Sequence, residues 1–186
     1  MLYKSLYNSP IGLITMVSDG EKLIGLWIEN QINFQKTIKD AVAINDDIAA
    51  FVQAKEWLDR YFAGEVMSIG DLPIALKGSP FREKVWSILC DIPYGKLVTY
   101  GDIAKEIAVS SAVGRESAQA EAPAKMSAQA VGGAVGHNPI SIIVPCHRVI
   151  GADCKLTGYG GGLDLKIKLL EIEGFTIDKD KMKVVL

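Results

Sequence analysis

Apolar residues at the start of the chain come in short, punctuated runs. Leu2–Leu6 and Leu13–Val17 are separated by Asn8-Ser9-Pro10 and Gly12, and Asp19-Gly20 marks a tight turn before Leu23–Ile28. Strand-length segments broken by turn residues predict a small antiparallel meander. The period then changes. Ile48, Phe51, Val52, Trp57, Leu58 and Tyr61 recur at three- and four-residue spacing, which predicts an amphipathic helix over Asp46–Phe62. Asp46 or Asp47 is placed to cap its start and Gly64 to end it. Met67–Gly78, which contains Pro73, reads as a connection, so the chain divides near residue 77 into domains 1–77 and 78–186.

Beyond that point the pattern is mostly helical. Ser79-Pro80 opens a helix over Phe81–Cys90 with Phe81, Val85, Trp86 and Leu89 as its apolar stripe. After the turn Pro93-Tyr94-Gly95, Thr99-Tyr100-Gly101-Asp102 fits a capping box opening a short helix to about Ala108. Val109–Lys125 is weakly patterned and reads as a loop or an added helical excursion. Ser127 caps another short helix to Val135, which Gly136-His137-Asn138-Pro139 stops. Ile140–Val144 reads as a buried strand or extended run, Thr157–Gly162 as a glycine-rich loop, and Leu163–Glu173 as an amphipathic helix closed by Gly174. Three helices followed by a strand-like segment and a glycine loop suggest a winged helix-turn-helix. Similar helix pairs occur in many proteins that never meet DNA, so the pattern alone leaves both readings open.

Composition narrows the class. With 186 residues, 49% apolar and 23% charged, the chain is an ordinary globular protein of one domain or two small ones sharing a core. The strongly apolar runs, such as Ile140–Pro145, are too short to span a bilayer, and the opening MLYKSLYNSP lacks the apolar region of a signal peptide. No membrane contact is expected. Three cysteines (Cys90, Cys146, Cys154) form an odd, sparse set, which points to a reduced, cytoplasmic setting and not to a disulfide framework. Net charge is −2, and Pro80–Gly174 carries ten Lys/Arg against ten Asp/Glu. Any nucleic acid must therefore be met by a local surface and not by a global field.

One short string carries chemistry. Pro145-Cys146-His147-Arg148 follows the buried run, and one of the chain's two histidines abuts the cysteine. Most buried cysteines are inert. Here Pro145 breaks the run, so Cys146 is placed at a helix start, where the dipole favours thiolate. Glu171 and Glu173 fall in the final helix and are the candidates to orient His147. Adjacent residues in an extended chain point to opposite sides, so Cys146 and His147 share a proton only across a turn or through a water. A carboxylate behind the imidazole would keep it oriented, as in the nucleophile–base–orienter scheme. The His and Cys positions lack zinc-ligand spacing, and Gly158–Gly162 lacks the Lys-Ser/Thr of a P-loop. No metal and no cofactor are expected.

Gly132-Gly133-Ala134, His137-Asn138-Pro139, IIVPCHRVIG (Ile142–Gly151) and TGYGGGLDLKIKLLEIEG (Thr157–Gly174) together resemble the O6-alkylguanine-DNA alkyltransferases. The resemblance covers about Pro80–Gly174 and extends more weakly into the meander. It implies the mixed α/β (α+β) class: a small N-terminal ribonuclease-H-like domain with an antiparallel sheet, and a C-terminal winged helix-turn-helix domain carrying the site. It implies Cys146 as alkyl acceptor, His147 taking the thiol proton through a water, Glu173 orienting His147, Tyr100 protonating the leaving purine, and Asn138 tying the active-site turn to the DNA-binding helix. Tyr159, Gly160, Gly161 and Val149 correspond to substrate-binding positions. Ser127, Ala128, Gln129, Gly132 and Arg148 correspond to DNA-binding positions, although Arg148 also suits a role holding the turn. The implied partner is double-stranded DNA containing O6-alkylguanine, with O4-alkylthymine as a second candidate lesion, met by a monomer that reacts once. A non-catalytic lesion-recognition protein on the same scaffold is the alternative; such binders lack the acceptor cysteine. A Cys-His hydrolase would need an oxyanion hole, and no motif supplies one.

Three departures from the family stand out. Gln129 occupies the position where an arginine is common for base extrusion, which implies weaker or more salt-sensitive extrusion with the chemistry retained. Gly160 has no hydroxyl to offer the base. Val109–Lys125 is longer than the family leads one to expect.

Overall fold

A computed structural model describes residues 1–31, 42–70, 72–113 and 127–185. The three predicted strands are present. β1 (Leu2–Ser9) runs antiparallel to β2 (Gly12–Ser18), which runs antiparallel to β3 (Leu23–Ile28). Gly12 turns the first hairpin at φ +126°, a conformation L side chains rarely adopt. A short β4 (Val42–Ile44), not visible in the pattern, adds parallel to β1, giving the order β3-β2-β1-β4. The sheet is therefore mixed, where a purely antiparallel one was expected.

α1 (Ala49–Phe62) lays Phe51, Ala54, Leu58 and Tyr61 on the sheet. Its start differs from expectation. Ile48 occupies the N-cap without a side-chain cap bond, while Asp46 is drawn away to accept from Ser5 and from Lys55 (2.9 Å). Val52 remains 43% exposed on the far side of the apolar stripe.

In the second half, Ser79 caps α2 (Pro80–Cys90). β5 (Val98–Thr99) pairs parallel with β6 (Val149–Ile150). The Thr99–Asp102 capping box forms reciprocally at 3.1 Å in each direction and opens α3 (Tyr100–Val113), which outruns the expected end at Ala108. The rest of the stretch read as a loop or excursion, from residue 114 to 125, lies outside the described residues. α4 (Ala128–Val135) is capped by Ser127, whose hydroxyl accepts from the Ala130 N–H at 3.0 Å.

Ile140–Val144 is not a strand. It makes one bridge, through backbone hydrogen bonds joining Leu26 to Pro139 (2.8 Å) and Ser141 (2.9 Å), and then folds into a buried turn with Ile142 at φ +70°. Apolarity was read correctly and its geometry was not, because a buried turn of β-branched residues carries the same pattern as a buried strand. α5 (Leu163–Ile172) follows the glycine loop, and a hairpin of β7 (Thr176–Asp178) and β8 (Lys183–Val185) ends the described chain. One hydrophobic core joins the halves: Met16, Leu26, Phe51, Leu58 and Tyr61 from the first meet Trp86, Val131, Ile142 and Leu169 from the second.

Candidate active site

Pro145 ends the buried turn, and Cys146–Arg148 forms a single 3₁₀ turn. That turn places three neighbouring side chains in different environments. Cys146 is 5% exposed and lines a cavity of about 570 Å³ with Tyr100, Asn138, Tyr159 and Gly160. Asn138, buried at the end of α4, donates from Nδ2 to the Val144 carbonyl (2.8 Å) and to Cys146 Sγ (3.1 Å), and its Oδ1 accepts from the Ile140 N–H (3.0 Å). The short polar side chain thus fastens both the turn and the sulfur to α4.

Burial pushes the Cys146 thiol above its ordinary range, against the opposing pull of the Asn138 amide, the Lys166 ammonium and the backbone N–H groups of Cys146 and His147. This corrects the expectation of a thiolate favoured by a helix start: one 3₁₀ turn does not outweigh desolvation. Burial thus favours the thiol form, which suits activation by a neighbouring base.

His147 is wholly buried behind it. Its Nε2 lies 2.7 Å from Glu173 Oε1, while Nδ1 is buried without a hydrogen-bond partner among the described residues. Burial lowers the imidazole below its ordinary value; Glu173 opposes this, and the Arg148 and Lys166 charges add to it. The ring is therefore neutral, and donation from Nε2 to Glu173 leaves Nδ1 as a free acceptor. Glu173 is gripped from several sides. Arg148 donates to it from Nε (2.9 Å to Oε2) and Nη2 (2.9 Å to Oε1), and the Gly95 N–H donates to Oε2 at 3.2 Å. Burial alone would push the carboxyl up, but His147 and Arg148 outweigh it and hold Glu173 at about 2.

The candidates converge unequally. Cys146, His147, Glu173 and Asn138 form one connected cluster, and Tyr100, Tyr159 and Gly160 wall the cavity above it. Tyr100 donates to the Gly158 carbonyl at 3.3 Å, and burial raises its hydroxyl so that it keeps its proton. The Tyr159 hydroxyl is buried near Cys146 and Ser141 without a well-formed bond to either. Ala128, Gln129 and Gly132 lie on the cavity rim along α4, with Ser127 exposed at its cap. A Cβ at Gly133 would meet open space, so intramolecular packing does not explain that glycine.

Three expectations are corrected. Arg148 is 4% exposed, engaged by Glu173 and by the Ile92 carbonyl (2.6 Å from Nη1), and has no face to offer DNA. Val149 is wholly buried in β6, outside the cavity lining. Gly161 also stands off the lining, where a Cβ would strike Leu165 and Tyr159 within 3.0 Å, so it serves loop packing.

Three residues were missed. Gln31 reaches the cavity from the first half and donates to Ser141 Oγ at 2.7 Å. Tyr61 touches Glu173 and His147 from α1. Lys166 is wholly buried, bridging the Val149 (2.5 Å) and Thr157 (2.9 Å) carbonyls, and burial lowers it to about 8. Only Lys166 left a signal: it sits on the apolar face of α5, between Leu163 and Leu170.

Comparison with known proteins agrees with this geometry. The family model "6-O-methylguanine DNA methyltransferase, DNA binding domain" matches residues 80–175, and "6-O-methylguanine DNA methyltransferase, ribonuclease-like domain" matches residues 2–76. The methylated-DNA–protein-cysteine methyltransferase of Haemophilus influenzae is 38% identical, over 92% of this chain and 86% of its own. That of Methanosarcina acetivorans is 41% identical, over 93% and 99%. The crystal structure of Mycobacterium tuberculosis OGT in complex with DNA superposes with a TM-score of 0.74 at 42% identity, covering 92% of each chain. The chain belongs to the 6-O-methylguanine DNA methyltransferase family.

Proposed function

We propose that this protein repairs O6-alkylguanine in duplex DNA by moving the alkyl group onto Cys146, once per chain. The observation that carries the reading is the sulfur itself. It lies at a cavity beside the exposed face of α4, fastened by Asn138, with a neutral imidazole and an anionic carboxylate behind it. Residues 78–186 carry the reaction and residues 1–77 brace it.

The target oxygen is inside the base stack, so the nucleotide must rotate into the cavity, at a cost of a few kcal/mol. The small residues of α4 suit close approach to the backbone of the duplex, and Gln129 at the rim fills the space the base leaves. In the cavity, Cys146 Sγ attacks the alkyl carbon in line. The thiol proton passes to His147 Nδ1, directly or through solvent, and Glu173 steadies the imidazolium. The sulfur–carbon bond forms as the carbon–O6 bond breaks, its electrons going to the purine. Tyr100, still protonated, donates to the purine nitrogen, and solvent restores its proton while taking the one on His147. The thioether has no route back, so the reaction is stoichiometric and a monomer suffices. The free thiols suit a cytoplasmic setting.

Incubation with an O6-methylguanine duplex should add one methyl group per chain, on the peptide holding Cys146, and Cys146→Ser should take up none. A protein that binds the duplex without gaining mass would be a non-catalytic lesion binder. The chain retains the acceptor that such a protein has no need of.

A further inference from the structure

We propose that Tyr61, contributed by the N-terminal half, is a positioning residue of the proton relay: its hydroxyl holds the Glu173 oxygen that fixes His147. The inference rests on the alkyl-transfer reading above. The Tyr61 hydroxyl donates to Glu173 Oε1 at 3.1 Å and lies 3.5 Å from His147 Nε2. Oε1 is the same oxygen that receives His147 Nε2 at 2.7 Å. Tyr61 is wholly buried, and its ring is clamped by Trp57 (stacked, 5.3 Å), Phe62 and Tyr94 (both edge-on). A tyrosine needed only to fill the core would be served by phenylalanine. Here a hydroxyl is carried from α1 across the junction of the two halves to the carboxylate behind the imidazole of the reactive site.

The consequence is electrostatic. Tyr61, His147 and Arg148 Nη2 all donate to Oε1, so each weakens that oxygen's attraction for the others. Burial raises the Tyr61 hydroxyl, and Glu173 raises it further, so it is a permanent donor. The other groups facing this cluster are Arg148, Lys166, Tyr94, Tyr159 and Cys146. Tyr61 thereby keeps the imidazole weakly basic while Oε1 is fixed in place, so that His147 Nδ1 stays open to the thiol proton.

Tyr61→Phe retains the ring packing and removes only the donor. Glu173 then attracts the imidazolium more strongly. The acid limb of the single-turnover transfer rate should move to higher pH by about half a unit. The plateau rate should fall by roughly twofold to threefold, because Arg148 Nη2 still holds Oε1 at 2.9 Å after the Tyr61 donor is gone. Site-specific 3-fluorotyrosine, a stronger donor, should move the limb the opposite way. The ring ¹⁵N spectrum of His147, readily assigned in a chain with two histidines, should follow both changes without any reaction. Opposed shifts in the two variants support the proposal. An unchanged limb, or shifts of the same sign, overturns it even where Tyr61→Phe lowers the melting temperature. Failure of the unaltered protein to take up methyl would instead overturn the alkyl-transfer reading, and the imidazole spectrum would still decide the role of Tyr61.

Discussion

Gln129 is exposed on α4 at the mouth of the cavity, where it supplies bulk without charge. Gln129→Arg should raise the flipped fraction of a fluorescent base analogue and add roughly one unit to the salt dependence of binding; equal flipping by both proteins would dismiss the idea. Arg148 acts at the opposite depth. Replacing it by Met leaves the Glu173 carboxylate buried without its cation, so unfolding by urea should show a loss of about 3 kcal/mol or more. Residue identity was legible wherever chemistry is local: Cys146 and His147 adjoin, and Asn138 and Glu173 stand in recognisable strings. Arg148 was harder to place, because a guanidinium inside the protein and one on its surface look alike in sequence. Tyr61 and Gln31 gave no sign, because nothing local distinguishes a core tyrosine from one whose hydroxyl reaches a carboxylate 112 positions away.

At the scale of elements, α4 is the piece whose rigidity matters most, since it carries the rim residues and leads into the turn that holds Asn138. Its first turn depends on one cap. Ser127→Ala should cost about 1 kcal/mol locally, read as roughly fivefold faster hydrogen exchange at the Ala130 amide, with weaker DNA binding. The meander and the capped helices were readable because turn residues and caps act over a few positions. β4 was not, because a three-residue strand is defined by its parallel partner β1 and has no period of its own. Nor was the turn at Ile142, where the left-handed backbone of a β-branched residue is imposed by the Asn138 bonds and the bridge to Leu26.

At the scale of the described molecule, a main core spans both halves, a smaller cluster of Ile150, Leu156, Ile167, Leu170 and Val184 lies in the second, and a charged cluster is sealed at the junction. Glu173 titrates near 2 in the fold against 4.5 as a free carboxyl, so its contribution to stability is complete above 4.5 and is lost as pH falls toward 2. His147, held below 6.5 by burial, acts in the same direction, because protonation favours the unfolded chain. The urea midpoint should therefore fall steadily from about pH 6 downward. Glu173→Gln should flatten the part of that decline between 4.5 and 2. The midpoint of the acid limb of the transfer rate should lie below pH 6.5, since burial holds the His147 imidazole under its ordinary value.

The Trp86 indole, 2% exposed, donates from Nε1 to the Ala134 carbonyl in the last turn of α4 at 2.9 Å. An excited indole reports on changes to that bond through its emission wavelength. With Trp27 and Trp57 replaced by phenylalanine, the remaining indole would be an optical gauge on α4, the helix proposed to meet the duplex. Such a chain should report engagement of a lesion, and the later crowding of a capped sulfur, as a shift in emission without an attached dye.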